Sequence, residues 1–191
     1  MLNDPTRRAL LRATAGTVLV SPDPRPVQLV TVTPHWVLNC GDIKSPCAVG
    51  RGGVRPMKRE GDGATPAGYF PFRRVLFRTD RVVVRTRLPV TPIARQDGWC
   101  TDPDDRDYNQ PITLPRHGRY ENLWRDDHLY DIVVVIGYND APAVPGGGSA
   151  IFLHVARSEL SPTDGCVAVA AAVLLEVLRR CDSNTFIEIK S

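Results

Sequence analysis

The chain has 191 residues, of which 42% are hydrophobic and 24% charged, as expected for a single globular domain long enough to bury a core. The net charge is only +3, and the arginines are scattered rather than arranged in a basic stripe with interleaved aromatic residues. We therefore expect no nucleic-acid partner. No apolar stretch is long enough to cross a bilayer, so we also expect no membrane span.

The first 26 residues are predicted to be an N-terminal extension that precedes a domain over residues 27–191. Arg7 and Arg8 stand before a weakly apolar run at 13–20, and this arrangement resembles a twin-arginine export signal. Because the run is short and no Ala-x-Ala cleavage site follows it, an amphipathic helix or a frayed arm fits the same residues. Residues 21–26 are rich in proline, which indicates a linker that is neither helix nor sheet core.

Most of the domain is predicted to consist of short strands separated by turns. Runs of β-branched or apolar residues predict strands at 27–33, 69–76, 81–87, 131–138, 150–155 and 185–189. Residues 36–40 and 47–50 are predicted to pair as a hairpin. The run at 131–138 is apolar throughout, which indicates a central strand buried on both faces. A helix is predicted over 170–180, where apolar residues recur at helical spacing and two arginines occupy the last turn.

Residues 88–128 are predicted to be irregular, because prolines interrupt them repeatedly. Long irregular stretches in compact domains are often lids or binding loops. Aromatic and charged residues in this stretch would suit a peptide that carries amines and carboxylates; the alternative is an insertion that packs on its own aromatic residues. Taken together, the pattern predicts a mostly β fold, a twisted sandwich-like or barrel-like domain with a C-terminal helix and a long irregular lid region.

Five cysteines are present, so at least one thiol stays free unless the chain pairs with another. Cys40 and Cys47 flank a predicted turn, where they either form a disulfide or remain reduced and buried. The spacings of cysteine and histidine match no zinc ligand set, so we predict no metal site. The glycine turn at 51–55 lacks the phosphate-loop pattern, and we predict no cofactor.

His154 ends a predicted strand, and Cys166 follows it after a polar loop. A thiol acts as a nucleophile in its thiolate form, and a loop of this length can bring it close to an imidazole that serves as base. Gly165 lets the backbone approach a carbonyl carbon, and the amides of Gly165 and Cys166 could donate to an oxyanion. Pro162 and Asp164 favour a loop position for the cysteine. On these residues alone, an inert core cysteine and a surface histidine remain the alternative.

Two motifs together resemble the YkuD-type L,D-transpeptidases. His154, Ser161, Gly165 and Cys166 resemble the family signature of a histidine, a spacer and then Ser/Thr-His-Gly-Cys, and Gly61–Phe70 resembles its Thr-Pro-x-Gly turn. The resemblance covers residues 28–190 and is greatest to a short branch without appended binding modules.

The chain departs from the family pattern at three points. Asp164 stands where the pattern has histidine, Val167-Ala168 replaces an apolar-Asn/Arg pair, and the spacer between His154 and Cys166 is shorter. These departures concern the detail of substrate recognition more than the chemistry of cysteine and histidine.

The resemblance implies an acyltransferase that acts on peptidoglycan stem peptides in the periplasm. Cys166 would attack the carbonyl of the L-centre of meso-diaminopimelate, His154 would move the proton, and an acceptor amine would resolve the thioester into a 3-3 or 1-3 bridge. We expect a monomer. Two alternatives remain open: hydrolysis of the same thioester, as in an L,D-carboxypeptidase or amidase, and a non-catalytic cell-wall binding module with a structural cysteine.

Six further residues are predicted to bind substrate: Arg51, Tyr138, Asn139, Ser161, Thr163 and Asp164. Asp164 is expected to favour a cationic acceptor amine, and Arg51 or Arg55 to hold a stem carboxylate. A backbone carbonyl is expected to orient His154, because the next residue, Val155, has no polar side chain. The hydroxyl of Ser161 or Thr163 is the alternative for that role.

Overall fold

The computed structural model describes residues 25–191, and the predicted export signal lies outside the described residues. In chain order the strands are β1 (Leu29–Val32), β2 (Val37–Cys40), β3 (Ile43–Pro46), β4 (Val54–Arg55), β5 (Thr65–Pro66), β6 (Gly68–Phe77), β7 (Val90–Pro92), β8 (Asp97–Cys100), β9 (Pro111–Thr113), β10 (Tyr120–Asn122), β11 (Ile132–Ile136), β12 (Phe152–Val155), β13 (Val167–Val169) and β14 (Phe186–Ile189). One helix, α1 (Ala171–Leu178), lies between β13 and β14.

A nine-stranded sheet forms the body of the molecule. Its order is β13-β12-β11-β6-β14-β1-β2-β3, and β7 pairs with β6 beside this path. The two ends of the sheet meet where Ala48, just after β3, forms an antiparallel bridge with Ala168 of β13. The two N···O distances of this bridge are 2.8 and 2.9 Å. The sheet is therefore nearly closed, which confirms the predicted mostly β, barrel-like fold with a C-terminal helix.

Strand β11 separates two apolar cores. Ile132, Val134 and Ile136 pack into the larger core, which also takes the buried face of α1. Val133 and Val135 point to the other face, where a second core contains Trp99 and Phe152 among others. Both faces of this strand are buried, as its uninterrupted apolar sequence predicts.

The stretch at 88–128 contains more regular structure than its prolines predict. It holds β7 to β10, of which β10, β8 and β9 form a separate three-stranded sheet. Trp99 of β8 packs edge-on against Phe152 with the ring centroids 5.2 Å apart. Asn109 accepts a hydrogen bond from the Trp99 indole at 2.9 Å. The stretch is thus anchored to the barrel beside β12 through the second core.

The predicted hairpin has the wrong second strand. β2 pairs with β3, and the register sets Cys40 opposite Ile43 across a tight turn at Gly41 and Asp42. Gly41 has a φ of 60°, which lets the chain reverse within two residues. Cys47 lies beyond β3, at the other end of the hairpin from Cys40. Of the two alternatives for Cys40 and Cys47, the disulfide is therefore absent, and all five cysteines are free thiols. Cys40 shares a hydrogen bond with Cys181, which lowers the pKa of Cys40.

The strand predicted at 81–87 is absent from the described structure. β7 pairs with β6 where such a strand would lie, with Val75 opposite Val90. Val82 and Val84 only cover the edge of the larger core, so burial of these valines does not require a strand. The helix also ends before the two arginines predicted to lie in its last turn, because Arg179 is its C-cap. No helix of residues 25–191 is long and apolar enough to cross a membrane.

Candidate active site

His154 and Cys166 line the same cavity because β12 and β13 are parallel neighbours. His154 is opposite Ala168 in this pairing, and Cys166 immediately precedes β13. The amide of Phe152 donates to the Cys166 sulfur at 3.4 Å. Both side chains line one cavity of about 260 Å³, as do Thr163 and Asp164 from the loop between them. The parallel pairing brings the two predicted catalytic residues to the same place.

The Cys166 side chain is more enclosed than the sequence predicts. It is only 7% exposed and belongs to the second core, although its neighbours in the sequence favour a loop position. Its thiol donates to the carbonyl oxygen of Ala150 at 3.2 Å. Burial raises the pKa of the Cys166 thiol to about 12, because the apolar surroundings disfavour the thiolate. The thiol is therefore neutral in the free protein at neutral pH.

His154 is oriented by a backbone carbonyl, as expected from the sequence. Its Nδ1 lies 2.8 Å from the carbonyl oxygen of Val155, which identifies Nδ1 as the protonated nitrogen and leaves Nε2 as a proton acceptor. The ring stands edge-on to Tyr130, with centroids 5.2 Å apart. Burial lowers the pKa of His154 to about 4, so the imidazole is neutral at pH 7.

The two residues form a neutral pair rather than a thiolate–imidazolium pair. Within residues 25–191, the hydrogen bonds of the Cys166 sulfur go to Ala150 and Phe152, and none joins it to His154. Catalytic hydrogen bonds are often long in free enzymes and shorten when substrate binds. The arrangement places a thiol and a neutral imidazole in one cavity, with the proton still on sulfur.

The Thr-Pro-x-Gly motif is linked directly to the cysteine. Thr65 of this motif donates to the Cys166 carbonyl oxygen at 3.4 Å and accepts from the amide of Gly50 at 2.8 Å. Thr163 donates to the same carbonyl oxygen at 2.6 Å. Two hydroxyls from distant parts of the chain thus fix the backbone at Cys166, and the two sequence motifs are in direct contact there.

The backbone around Gly165 requires glycine. Its φ of +136° is one that L side chains rarely adopt, and an added Cβ would lie 2.9 Å from the carbonyl oxygen of Ala64. The amide of Gly165 donates to the Thr163 hydroxyl at 3.2 Å. The Cys166 amide makes no hydrogen bond within the described part of the chain. Of the two amides predicted to hold an oxyanion, that of Cys166 is therefore the one still available.

Arg51 and Asp164, two of the predicted binding residues, pair with each other. Their side chains are 68% and 81% exposed. Asp164 lines the cavity of Cys166, whereas Arg51 lines a neighbouring one. Ser161 donates its hydroxyl to Glu159 at 2.8 Å on the exposed side of the loop. Arg51 and Asp164 form an ion pair with each other in the free protein. Their roles in substrate binding stay predictions.

Tyr138 and Asn139 follow β11 and lie outside the lining of the Cys166 cavity. The Tyr138 hydroxyl donates to Gly147 at 2.6 Å, and the Asn139 amide donates to Gly148 at 2.8 Å. Both side chains therefore hold the loop that leads into β12. Substrate binding by these two residues stays a prediction.

From the sequence, charged and aromatic residues of the 88–128 stretch are expected to suit a peptide, but the sequence does not single out the two charged residues of this stretch that line the cavity. Glu121 and Arg125 line the cavity and lie 3.1 Å apart, and Arg125 also pairs with Asp127 at 2.6 Å. Burial raises the pKa of Glu121. Tyr130 packs between this pair and His154. A spacing of four residues between Glu121 and Arg125 was the only local signal. In residues 25–191 no cluster of three potential metal ligands occurs.

Three solved structures match this chain at low identity. An L,D-transpeptidase from Mycobacterium smegmatis is 12% identical, with a TM-score of 0.39, and the match covers 85% of this chain and 58% of that chain. L,D-transpeptidase 3 from Mycobacterium tuberculosis, in complex with a faropenem-derived adduct, is 12% identical with a TM-score of 0.40 and coverages of 85% and 60%. L,D-transpeptidase 1 from the same organism is 9% identical, with a TM-score of 0.36 and coverages of 85% and 61%.

The chain thus spans less than two thirds of the length of each of these proteins. A search of curated proteins finds no significant match. The family profile described as YkuD, L,D-transpeptidase catalytic domain, matches residues 29–189, which include both motifs and almost all of the described barrel. The chain therefore belongs to the YkuD family of L,D-transpeptidase catalytic domains.

Proposed function

We propose that the protein is a cysteine acyltransferase that cross-links peptidoglycan stem peptides through a thioester at Cys166. The observation that carries the proposal is that Cys166 and His154 line one cavity, with the imidazole fixed through Nδ1 so that Nε2 is a proton acceptor. Membership of the family supports the substrate class. Because peptidoglycan lies outside the cytoplasmic membrane, the proposal also places the protein in the periplasm.

In the first half-reaction the Cys166 sulfur attacks the carbonyl of the L-centre of diaminopimelate in a donor stem. The thiol proton passes to Nε2 of His154 as the sulfur–carbon bond forms. With pKa values of about 12 and about 4, transfer of the proton before attack is strongly unfavourable, so transfer and attack are expected to coincide. The Cys166 amide stabilises the oxyanion. His154 then protonates the leaving amine, and the thioester remains.

In the second half-reaction an acceptor amine enters in its neutral form and attacks the thioester. His154 takes the proton of the amine, and the carbon–sulfur bond breaks to return the thiol. The energy of the original amide bond is retained in the thioester, so the exchange needs no nucleotide. The acceptor is the amine of a diaminopimelate in a 3-3 bridge, or that of the first stem residue in a 1-3 bridge.

The proposal is tested by mass spectrometry of the purified protein incubated with disaccharide-tetrapeptide and disaccharide-tripeptide muropeptides. Free tripeptide is added as well, because the amine of the first stem residue is acylated by the lactyl group in a disaccharide-peptide and cannot serve there as the acceptor of a 1-3 bridge. The expected product is a cross-linked dimer, and fragmentation of its bridge identifies the acceptor. Cys166→Ala is the matched control and should give no dimer; substantial activity in this variant would remove Cys166 from the mechanism. Shortened monomers alone would indicate a hydrolase. No change in either substrate would indicate a binding module.

A further inference from the structure

The cavity that contains Cys166 has three acidic residues, and two of them are already neutralised. Glu121 pairs with Arg125, and Asp164 pairs with Arg51. The third, Glu60, lines the same cavity but has no ion-pair partner among residues 25–191. Glu60 is therefore the acid in this cavity that forms no ion pair with a described residue. Of the cations that line the cavity, Arg157 forms none with a described residue either.

The Glu60 carboxylate is held in place by neutral donors. The hydroxyl of Tyr108 donates to Oε2 at 2.5 Å, and that of Ser149 donates to the same oxygen at 2.6 Å. The amide of Gly148 donates in turn to the Tyr108 hydroxyl at 3.0 Å, which fixes that ring as well. Oε1 receives no hydrogen bond from the described residues. Two hydroxyls orient the carboxylate without cancelling its charge, and one oxygen remains available.

The buried Lys58, two residues before Glu60 in the chain, does not fill this role. The Lys58 side chain is 3% exposed, and its ammonium lies 2.8 Å from Asp62, with which it pairs. Asp62 also accepts from the amide of Ala64 at 2.8 Å, so this pair belongs to the turn that precedes the Thr-Pro-x-Gly motif. The charge of Glu60 is left to be matched by something that enters the cavity.

Two consecutive residues of the cavity wall connect Glu60 to Cys166. Ser149, which donates to Glu60, is followed directly by Ala150, whose carbonyl oxygen accepts the hydrogen bond of the Cys166 thiol. A group bound at Glu60 would thus belong to the same substrate residue as the carbonyl attacked by Cys166, or to one next to it. An oriented carboxylate with a free oxygen is a binding site for an ammonium group.

We propose that the Glu60 carboxylate binds the ammonium group at the far end of the third stem residue in the donor peptide, while Cys166 attacks the carbonyl of that same residue. The inference rests on the proposed acyl transfer, and it makes Glu60 a specificity-determining residue. Tyr108 and Ser149 are positioning residues that hold the carboxylate.

The test compares two donor tetrapeptides that differ at one amino group. One carries meso-diaminopimelate as its third residue, and the other carries 2-aminopimelate, which keeps the distal carboxylate but lacks the distal amine. Acylation of Cys166 is followed by the initial rate at which the fourth stem residue is released from each donor, at a series of donor concentrations. This rate reports acylation whether or not the distal amine of a second diaminopimelate donor then resolves the thioester. The variant is Glu60→Gln, whose amide oxygen still accepts from both hydroxyls. Glu176→Gln, on an exposed face of α1, is the matched control.

The wild-type protein and Glu176→Gln are expected to react faster with the diaminopimelate donor. In Glu60→Gln the acylation efficiency with that donor should fall about 10- to 100-fold, as for loss of one charge-assisted hydrogen bond, and the efficiency with 2-aminopimelate should stay the same. Equal losses with both donors, or no loss with either, would overturn the role of Glu60 while leaving acyl transfer intact. Absence of acylation by both donors in the wild type would refute the proposed function itself, and the inference with it.

Discussion

The neutral state of Cys166 can be tested by its rate of alkylation as a function of pH. Burial raises the pKa of this thiol from 9.0 to about 12. At pH 8 the thiolate fraction is then about a thousandfold smaller than for an unperturbed cysteine, since each pKa unit is a factor of ten. Because the thiolate is the reactive species, we expect slow alkylation of the folded protein and a rate that rises about tenfold per pH unit up to at least pH 10.

The assay is a time course with iodoacetamide between pH 6 and pH 10, in which the peptide that contains Cys166 is quantified by mass spectrometry. The same peptide in urea-unfolded protein provides the reference rate for an ordinary thiol. His154→Gln is the matched variant. Because the described structure has no hydrogen bond between His154 and Cys166, the pH profile of this variant should coincide with that of the wild type.

A thiolate–imidazolium pair would behave differently. Its alkylation rate would be high already at pH 6 to 7 and nearly constant up to pH 8, and substitution of the histidine would abolish that plateau. This outcome would contradict the neutral pair, and the proton would then leave sulfur before the substrate arrives. A slow and rising profile would instead locate the activation of Cys166 in the complex with substrate.

Two further predictions concern stability. The pKa of His154 falls from 6.5 to about 4 on folding, so its contribution to stability is present above pH 6.5 and is lost as the pH falls towards 4. The free energy of unfolding should therefore decrease by about 3 kcal/mol between pH 7 and pH 4. In urea unfolding, His154→Gln should show a smaller decrease over the same pH range. If His154→Gln loses as much stability as the wild type between pH 7 and pH 4, groups other than His154 cause the acid sensitivity of the fold. Gly165→Ala should cost about 1–3 kcal/mol, because its Cβ meets the carbonyl oxygen of Ala64 and its φ is positive. Gly61→Ala, which has a positive φ but no atom within 4 Å of the added Cβ, should cost less in the same thermal unfolding assay.

The strands that the sequence predicts well are those whose side chains are buried on both faces. β11 is apolar throughout, β12 is apolar except for His154, and each lies between two other strands of the sheet. The hairpin at Cys40 is predicted less well, because its register depends on a two-residue turn that starts at Gly41 rather than on hydrophobic pattern. The false strand at 81–87 has the right residue types, but β7 occupies the neighbouring edge of β6.

The candidate site, like the fold, is predicted only in part from the sequence. The sequence predicts His154 at a strand end and Cys166 after a loop long enough to return to it. It does not predict β13, whose parallel pairing with β12 brings both residues to one cavity. Their electrostatic state is not visible in the sequence, since it depends on burial by residues from other elements, such as Tyr130. Glu60 is missed for the same reason. The sequence shows a glutamate in a charged loop, and only the fold shows that its neighbours in space are two hydroxyls rather than a cation.

The unpaired Glu60 and the neutral Cys166 have a combined consequence for catalysis. Burial is the largest cause of the raised pKa of the Cys166 thiol. The negative charges of Glu121 and Asp164 raise this pKa further, and the positive charge of Lys58 lowers it. A substrate ammonium bound at Glu60 adds a positive charge to the same cavity, and its sign favours negative charge on sulfur and on the oxyanion. We therefore expect the donor that Glu60 selects to assist the chemistry as well as to bind. In the free protein the thiol stays protonated, which also protects it from oxidation, since oxidants react with the thiolate.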